Sequence, residues 1–169
     1  MENYNKSRRI VISALIAAIY ALGTLALAPI SYGPIQARIS EVMVLLAYFD
    51  PFYIVGLTVG CFIANILGSS FLDAIIGSFA TLVSVTMIYF TSKLNIRSEK
   101  IKLFIASLWP VIFNGLIIGW MLVKFVLPAG EGGSILVVGS EVAIGEFAVV
   151  SILGVILAYK LRDRIRKLL

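Results

Sequence analysis

Seven side chains in this sequence carry chemistry that apolar surroundings make expensive. Gln36, Arg38 and Glu41 sit together, Asp73 stands alone, Asn114 follows Pro110 by four residues, and Glu141 and Glu146 share one apolar run. A charge in such a run is costly unless it faces a cavity, a partner or water. Glu146 lies ~7.5 Å beyond Glu141 by helical rise, deep in its run, and is therefore a candidate ligand-binding group. The others also have structural readings. Asp73 and Glu141 suit helix N-termini, where a carboxylate meets the positive end of the dipole. Arg38 and Glu41 are three residues apart and could pair on one helix face, and Gln36 could cap a turn. Asn114 could hydrogen-bond to a neighbouring helix or offer its carboxamide to a ligand.

The same inventory excludes several classes of chemistry. The chain has no histidine, so Ser-His and Cys-His nucleophilic catalysis are absent. Its one cysteine, Cys61, cannot form an internal disulfide, and with no histidine a Cys/His zinc site is not expected. Cys61 lies in an apolar run and reads as a small packing residue. No G-x-x-x-x-G-K-[ST] occurs, so the chain has no ATPase motif of its own. Active transport would draw on an ion gradient or a partner.

These polar groups must be positioned by a very apolar chain. Of 169 residues, 60% are hydrophobic and 14% charged, too few polar residues for the shell of a soluble domain. Six apolar stretches are expected to form helices. The first runs from about Ile10 to Ala28 and stops at Pro29. The second starts near Gln36 and ends at Asp50-Pro51, a turn-favouring pair. The third runs from Phe52 to Leu67, the fourth from Asp73 to Thr91, the fifth from Leu103 to Leu127 and the sixth from Ser140 to Tyr159. The second and third are short for a bilayer and would need little tilt or local thinning.

Charge tests this count. Lys6, Arg8 and Arg9 precede the first stretch. Lys93, Arg97, Lys100 and Lys102 separate the fourth from the fifth, and Lys160, Arg162, Arg164, Arg166 and Lys167 follow the sixth. Six crossings place all three clusters on one side, which the positive-inside rule makes cytoplasmic. Of the 14 Lys and Arg residues only Arg38 and Lys124 lie elsewhere. In this arrangement the acidic and amide residues fall mostly in the outer half, around a pocket open to the exterior. Net charge of +5 is then membrane orientation and not a nucleic-acid surface. Ala26-Leu27-Ala28 has the look of a signal-peptide cleavage site, but the run before it is long and Pro29 follows, so the helix is expected to be retained.

The first stretch also carries small residues four apart, Ala14 with Ala18 and Ala17 with Ala21, a spacing that lets another helix approach closely. Gly154 and Ala158 offer a smaller version. The partner helix could belong to this chain or to another. Trp109 and Trp120 fall on nearly one face with Phe113, away from Asn114, and read as interfacial or lipid-facing anchors.

Taken together, these residues resemble the QueT family, queuosine-precursor substrate-binding (S) components of energy-coupling factor (ECF) transporters. The resemblance rests on Gly33-Pro34-Ile35-Gln36-Ala37-Arg38-Ile39-Ser40-Glu41 after the first stretch, with Gln-x-Arg-x-x-Glu as its most specific part. Asn65, Asp73, Pro110-Val111-Ile112-Phe113-Asn114 and Gly145-Glu146 support it, and it covers essentially the whole chain. It implies an all-α integral membrane protein: one domain over 1–169, a bundle of six transmembrane helices with both termini cytoplasmic, in the cell membrane. It implies no enzyme activity and no cofactor or metal in this chain; ATP would be used by two partner ATPase subunits joined through a transmembrane coupling protein. Ala14 and Ala18 match the alanine motif that meets the coupling protein. The implied ligands are 7-deazaguanines, such as the 7-aminomethyl or 7-cyano compound, or queuine. The implied site comprises Gln36, Arg38, Glu41, Asn65, Asp73, Asn114, Glu141 and Glu146. There Glu146 would accept from the ligand's donor edge and Asn114 or Gln36 would meet its carbonyl, with Glu41 or Glu141 receiving a cationic aminomethyl group. An S component for another vitamin-like solute, or a stand-alone ion-coupled carrier or channel, are the rival readings.

Overall fold

The computed structural model describes residues 2–33, 36–127 and 134–168, and every regular element in them is helical. Pro34 and Ile35 of the sequence motif lie outside these residues. Helix α1 spans Glu2–Ala26 and is followed by the single turn α2, Ala28–Ser31, with Pro29 in its first positions. A 3-10 helix occupies Ile39–Tyr48. Then come α3 (Tyr53–Gly68), α4 (Phe71–Ser92) and α5 (Glu99–Met121), which widens into π geometry over Leu122–Val126. Helix α6 (Ile135–Glu146) runs through a π segment, Phe147–Gly154, into α7 (Val155–Leu168).

Among the described residues, four helical stretches are long and apolar enough to cross a membrane: Ser7–Ala26, Phe71–Ser92, Glu99–Val126 and Ile135–Lys167. The 3-10 helix and α3 are apolar but shorter. The bundle is apolar outside, with Leu22, Leu67, Phe71 and Leu136 well exposed, while Thr24, Arg38, Glu41, Asn65, Asp73 and Glu146 are buried. That inversion suits a protein solvated by lipid tails, in which polar groups must find partners inside.

The second apolar stretch differs from expectation. It is not an α-helix from Gln36: residues Gln36 to Arg38 form no regular element, and the helix that follows is wound with three residues per turn. The tighter winding carries ten residues over ~20 Å, where an α-helix would reach ~15 Å. This segment packs against α1, α3, α4, α5, the second π segment and α7, so it runs through the middle of the bundle. Ser40, Glu41, Val44, Leu45, Ala47 and Tyr48 are all buried. Around it, α1 packs on α3, α3 on α4, α4 on α5 and α5 on α6.

Small residues set two of these crossings. A Cβ at Gly56 would lie 2.5 Å from the Ser13 carbonyl oxygen, and one at Gly60 would lie 2.9 Å from that of Ala17. The face of α1 that includes Ala17 and buried Ala21 is therefore used inside the chain, whereas Ala14 and Ala18 remain exposed. Gly154 and Ala158 are buried too, with Gly154 against Leu45, so of the two alternatives their small face packs within this chain. At the α5–α6 crossing, a Cβ at Gly119 would lie 2.5 Å from the Gly139 Cα. Trp109 is not a lipid-facing anchor: it is half-buried, stacks on Phe113 with ring centroids 5.7 Å apart, and donates from Nε1 to Thr91 Oγ1 at 2.8 Å. Trp120 is exposed.

The three basic clusters converge at one end. Arg9 pairs with Asp50 at 2.8 Å, the Arg166 and Arg162 guanidiniums both reach Glu99, and Lys102 Nζ donates to the carbonyls of Ser92 and Leu94. Arg166 and Lys102 also stand over the rings of Phe49 and Tyr48, next to Asp50. Replacing Gly119 with Val should force α5 and α6 apart and lower stability by about 1–3 kcal/mol, the usual cost of overpacking. Thermal unfolding in detergent will show this, and Ala14→Val, on the exposed face, is the control expected to leave the melting temperature unchanged.

Candidate ligand-binding site

Polar side chains from six helices meet inside the bundle, between its middle and the end opposite the basic clusters. Helical rise gives their depth. Tyr20 lies eleven residues beyond Arg9, ~16 Å along α1, and Asn114 lies twelve beyond Lys102, ~18 Å along α5. Asp73 is nineteen residues before Ser92, ~28 Å from the basic end.

Helix α1 supplies Tyr20 and Thr24, one turn apart and both fully buried. The Tyr20 hydroxyl donates to Glu41 Oε1, and Thr24 Oγ1 donates to the Tyr20 carbonyl at 2.9 Å and lies 2.5 Å from Ser40 Oγ. The chain enters this region through Gln36, whose φ of 47° puts a buried non-glycine residue in the left-handed region. From there Arg38 turns away from Glu41. Its Nη2 donates to Asp73 Oδ2 and its Nε to the Ser31 carbonyl, both at 3.4 Å, and the Tyr32 ring lies 5.2 Å from the guanidinium. The local Arg38–Glu41 pair suggested by their spacing is thus replaced by two partners across the bundle, Asp73 for the cation and Tyr20 for the carboxylate. Arg38 precedes the 3-10 helix in extended backbone (φ −81°, ψ 100°), so its side chain leaves the face that carries Glu41.

Asp73 occupies the first turn of α4, but the cap there is Ser70, whose hydroxyl accepts from the Asp73 N–H at 3.1 Å. The carboxylate is consequently left to face inward. Asn65 of α3 stands beside it, its Nδ2 donating to the Asp73 carbonyl at 3.2 Å and to Cys61 Sγ at 3.4 Å. Cys61 also accepts from Thr81 Oγ1, so its packing role includes holding this corner. From the other side, Asn114 Nδ2 of α5 donates to Glu146 Oε1 at 2.6 Å. Glu146 ends α6 where the backbone passes into π geometry, a distortion that recurs at functional sites. Glu41 is within electrostatic reach of both Arg38 and Glu146.

Arg38 thus shares the interior with three buried carboxylates, Glu41, Asp73 and Glu146. Four buried acceptor atoms have no partner among the described residues: Ser31 Oγ, Asn65 Oδ1, Asp73 Oδ1 and Glu146 Oε2. An unpaired buried acceptor costs about 1–3 kcal/mol, more when charged. The arrangement suits capture of a small molecule rich in N–H donors, not bond-making chemistry.

Of the residues expected at the site, Arg38, Glu41, Asn65, Asp73, Asn114 and Glu146 come together, and Gln36 is buried at the entry. Glu141 does not join them; it is half-buried, about 140° around α6 from Glu146, with no hydrogen-bonded partner among the described residues. Tyr20, Ser31 and Tyr32 were not anticipated. The pairing of Tyr20 with Thr24 four residues later, in the mostly apolar part of α1 after Arg9, was a signal for the first of them.

A family model described as QueT transporter matches residues 10–163. The queuosine precursor transporter QueT of Lactococcus lactis subsp. cremoris (strain MG1363) is 41% identical over 85 residues, which cover 49% of this chain and 50% of that protein. The chain therefore aligns with about half the length of this curated relative. No solved structure matches.

Removing the Tyr20 hydroxyl should expose the cost of the buried Glu41 carboxylate. Tyr20→Phe is expected to lower stability by about 1.5–3 kcal/mol, the range for hydrogen bonds to charged groups. Adding Glu41→Gln to that variant should recover part of the loss in thermal unfolding, because the uncompensated charge is gone.

Proposed function

The chain belongs to the QueT transporter family, and from that premise we propose that it is the substrate-binding component of an ECF-type transporter that captures a queuosine precursor, a 7-deazaguanine, from outside the cell. The observation that supports this reading most directly is the set of unpartnered buried acceptors around Arg38. A deazaguanine carries ring and exocyclic N–H donors that such acceptors satisfy, and a carbonyl that a guanidinium or amide meets. Glu146, held by Asn114 through Oε1, offers its free Oε2 to a ligand donor.

The membrane arrangement in this proposal has six crossings, with both termini in the cytoplasm. Three residues of non-helical chain can cover up to ~10 Å and ten of 3-10 helix ~20 Å, so the segment from Gln36 to Tyr48 can match the ~30 Å hydrocarbon core. Its irregular part is tolerated at depth because protein surrounds it. The convergence of the basic clusters supports placing that end in the cytoplasm. Energy would come from two partner ATPases through a coupling protein. Ala14 and Ala18 are exposed beside a groove of about 250 Å³ lined by Ile10, Ser13, Phe52, Val55 and Val59, which suits a close-packed partner helix.

Calorimetry of the purified protein should give saturable binding to deazaguanines and none to riboflavin, biotin or thiamine. Glu146→Gln should weaken binding about ten- to a hundredfold, the loss of one charge-assisted hydrogen bond; unchanged affinity would remove Glu146 from the site. The double change Ala14→Leu with Ala18→Leu should leave ligand binding by the isolated protein intact. The same change should abolish copurification with the coupling protein and ATP-dependent uptake. Uptake in membranes lacking any ATPase partner would instead favour a stand-alone carrier.

A further inference from the structure

Arg38, Asp73 and Asn65 form a connected row. The guanidinium lies against Asp73 Oδ2, and the Asn65 amide nitrogen is tied to the Asp73 carbonyl. Both Arg38 contacts are 3.4 Å, longer than the 2.7–2.9 Å usual for charge-assisted bonds, so its donors are placed without being fully engaged. The far ends of the other two side chains, Asp73 Oδ1 and Asn65 Oδ1, are buried and unpartnered. Read along the row, the protein presents a donor, an acceptor and an acceptor.

Gly77, one turn after Asp73 on α4, is what lets this row stand. A Cβ there would lie 2.6 Å from Asn65 Nδ2 and 3.1 Å from Asp73 Oδ1. Any side chain at that position would push on the two groups whose acceptors are free. Tyr32, held by donating its hydroxyl to the Ala64 carbonyl at 2.7 Å, places a ring beside the guanidinium and limits where it can move.

We propose that Arg38, Asp73 and Asn65, seated over Gly77, form the specificity-determining row that reads the 2-amino-oxo edge of the ligand's pyrimidine ring. The ring carbonyl accepts from Arg38, the adjacent ring N–H donates to Asp73 Oδ1, and the exocyclic amine donates to Asn65 Oδ1. A planar lactam with a neighbouring amine presents acceptor, donor, donor, the complement of the row. Glu146 and Glu41, further toward the middle of the bundle, are then left for donors on the opposite side of the ligand. This assignment rests on the deazaguanine reading above; it moves the ligand's donor edge from Glu146 to Asp73 and Asn65, and its carbonyl from Asn114 or Gln36 to Arg38.

The test compares 7-deazaguanine with 7-deazahypoxanthine, which lacks only the exocyclic amine, by calorimetry on the full chain in detergent. The wild-type protein should bind the deamino compound at least tenfold more weakly, because a buried acceptor built for an amine stays unpaired. Asn65→Ala should bind the two compounds within about twofold of one another, whereas Glu146→Gln should weaken both and keep the discrimination. Gly77→Ala provides a second route: it should lose affinity for 7-deazaguanine and most of the discrimination, with its melting temperature showing that it folds. Equal affinity of the wild-type protein for the two compounds overturns the edge assignment alone. So does discrimination that persists undiminished in Asn65→Ala and Gly77→Ala. Absence of binding to any deazaguanine overturns the deazaguanine reading first, and the edge assignment with it.

Discussion

A guanidinium inside a lipid-solvated bundle cannot shed its charge, so the protein around Arg38 has to be organised to receive it. Arg38 is 5% exposed, and its charge is met by Asp73 from α4, the Ser31 carbonyl and the Tyr32 ring. Taking that ion out of water is expensive, and pairing compensates only when geometry and remaining hydrogen bonds are good. The elements carrying these partners are thereby fixed relative to one another. The Ser70 cap matters for the same reason: by serving the first turn of α4, it frees the Asp73 carboxylate for the interior.

That central demand also explains the backbone that carries Arg38. A regular α-helix over Gln36–Tyr48 would stack Arg38 near Glu41 and satisfy both locally. The observed chain instead passes Gln36 in the left-handed region and winds tightly from Ile39, sending the cation to α4 and the carboxylate to Tyr20 on α1. One short segment thus ties α1 to α4. Its burial on nearly every side is what makes the irregular geometry tolerable away from water.

The small residues divide labour by face. On α1, Ala17 and Ala21 are spent on packing inside the chain, and Gly56 and Gly60 of α3 allow that approach. Ala14 and Ala18, about 60° around the same helix, stay outside. Because close packing and hydrogen bonding, not the hydrophobic effect, hold helices together in lipid, an unused small-residue face has consequences for assembly that an exposed alanine in a soluble protein would not.

Much of this was legible in the sequence. Apolar stretches of sufficient length, three basic clusters and buried-looking polar residues require helices with one basic end, because lipid leaves so few ways to satisfy backbone and charge. Glu146 and Asn114 could be singled out as costly residues in apolar runs, and they do meet. Their partnership could not be read, since it joins residues 32 apart on different helices. The same holds for Arg38 with Asp73 and Glu41 with Tyr20, where local spacing argued for the wrong pair. Glu141 looked equivalent to Asp73 by sequence, yet the rotation of α6 carries it away from the cluster that Asp73 joins. Residue types and run lengths determined that polar groups would be buried in a helical bundle. Which of them pair, which acceptors stay open and which alanines face outward were decided by helix rotation and by the unwound entry to the 3-10 helix, properties set by contacts distant in the chain.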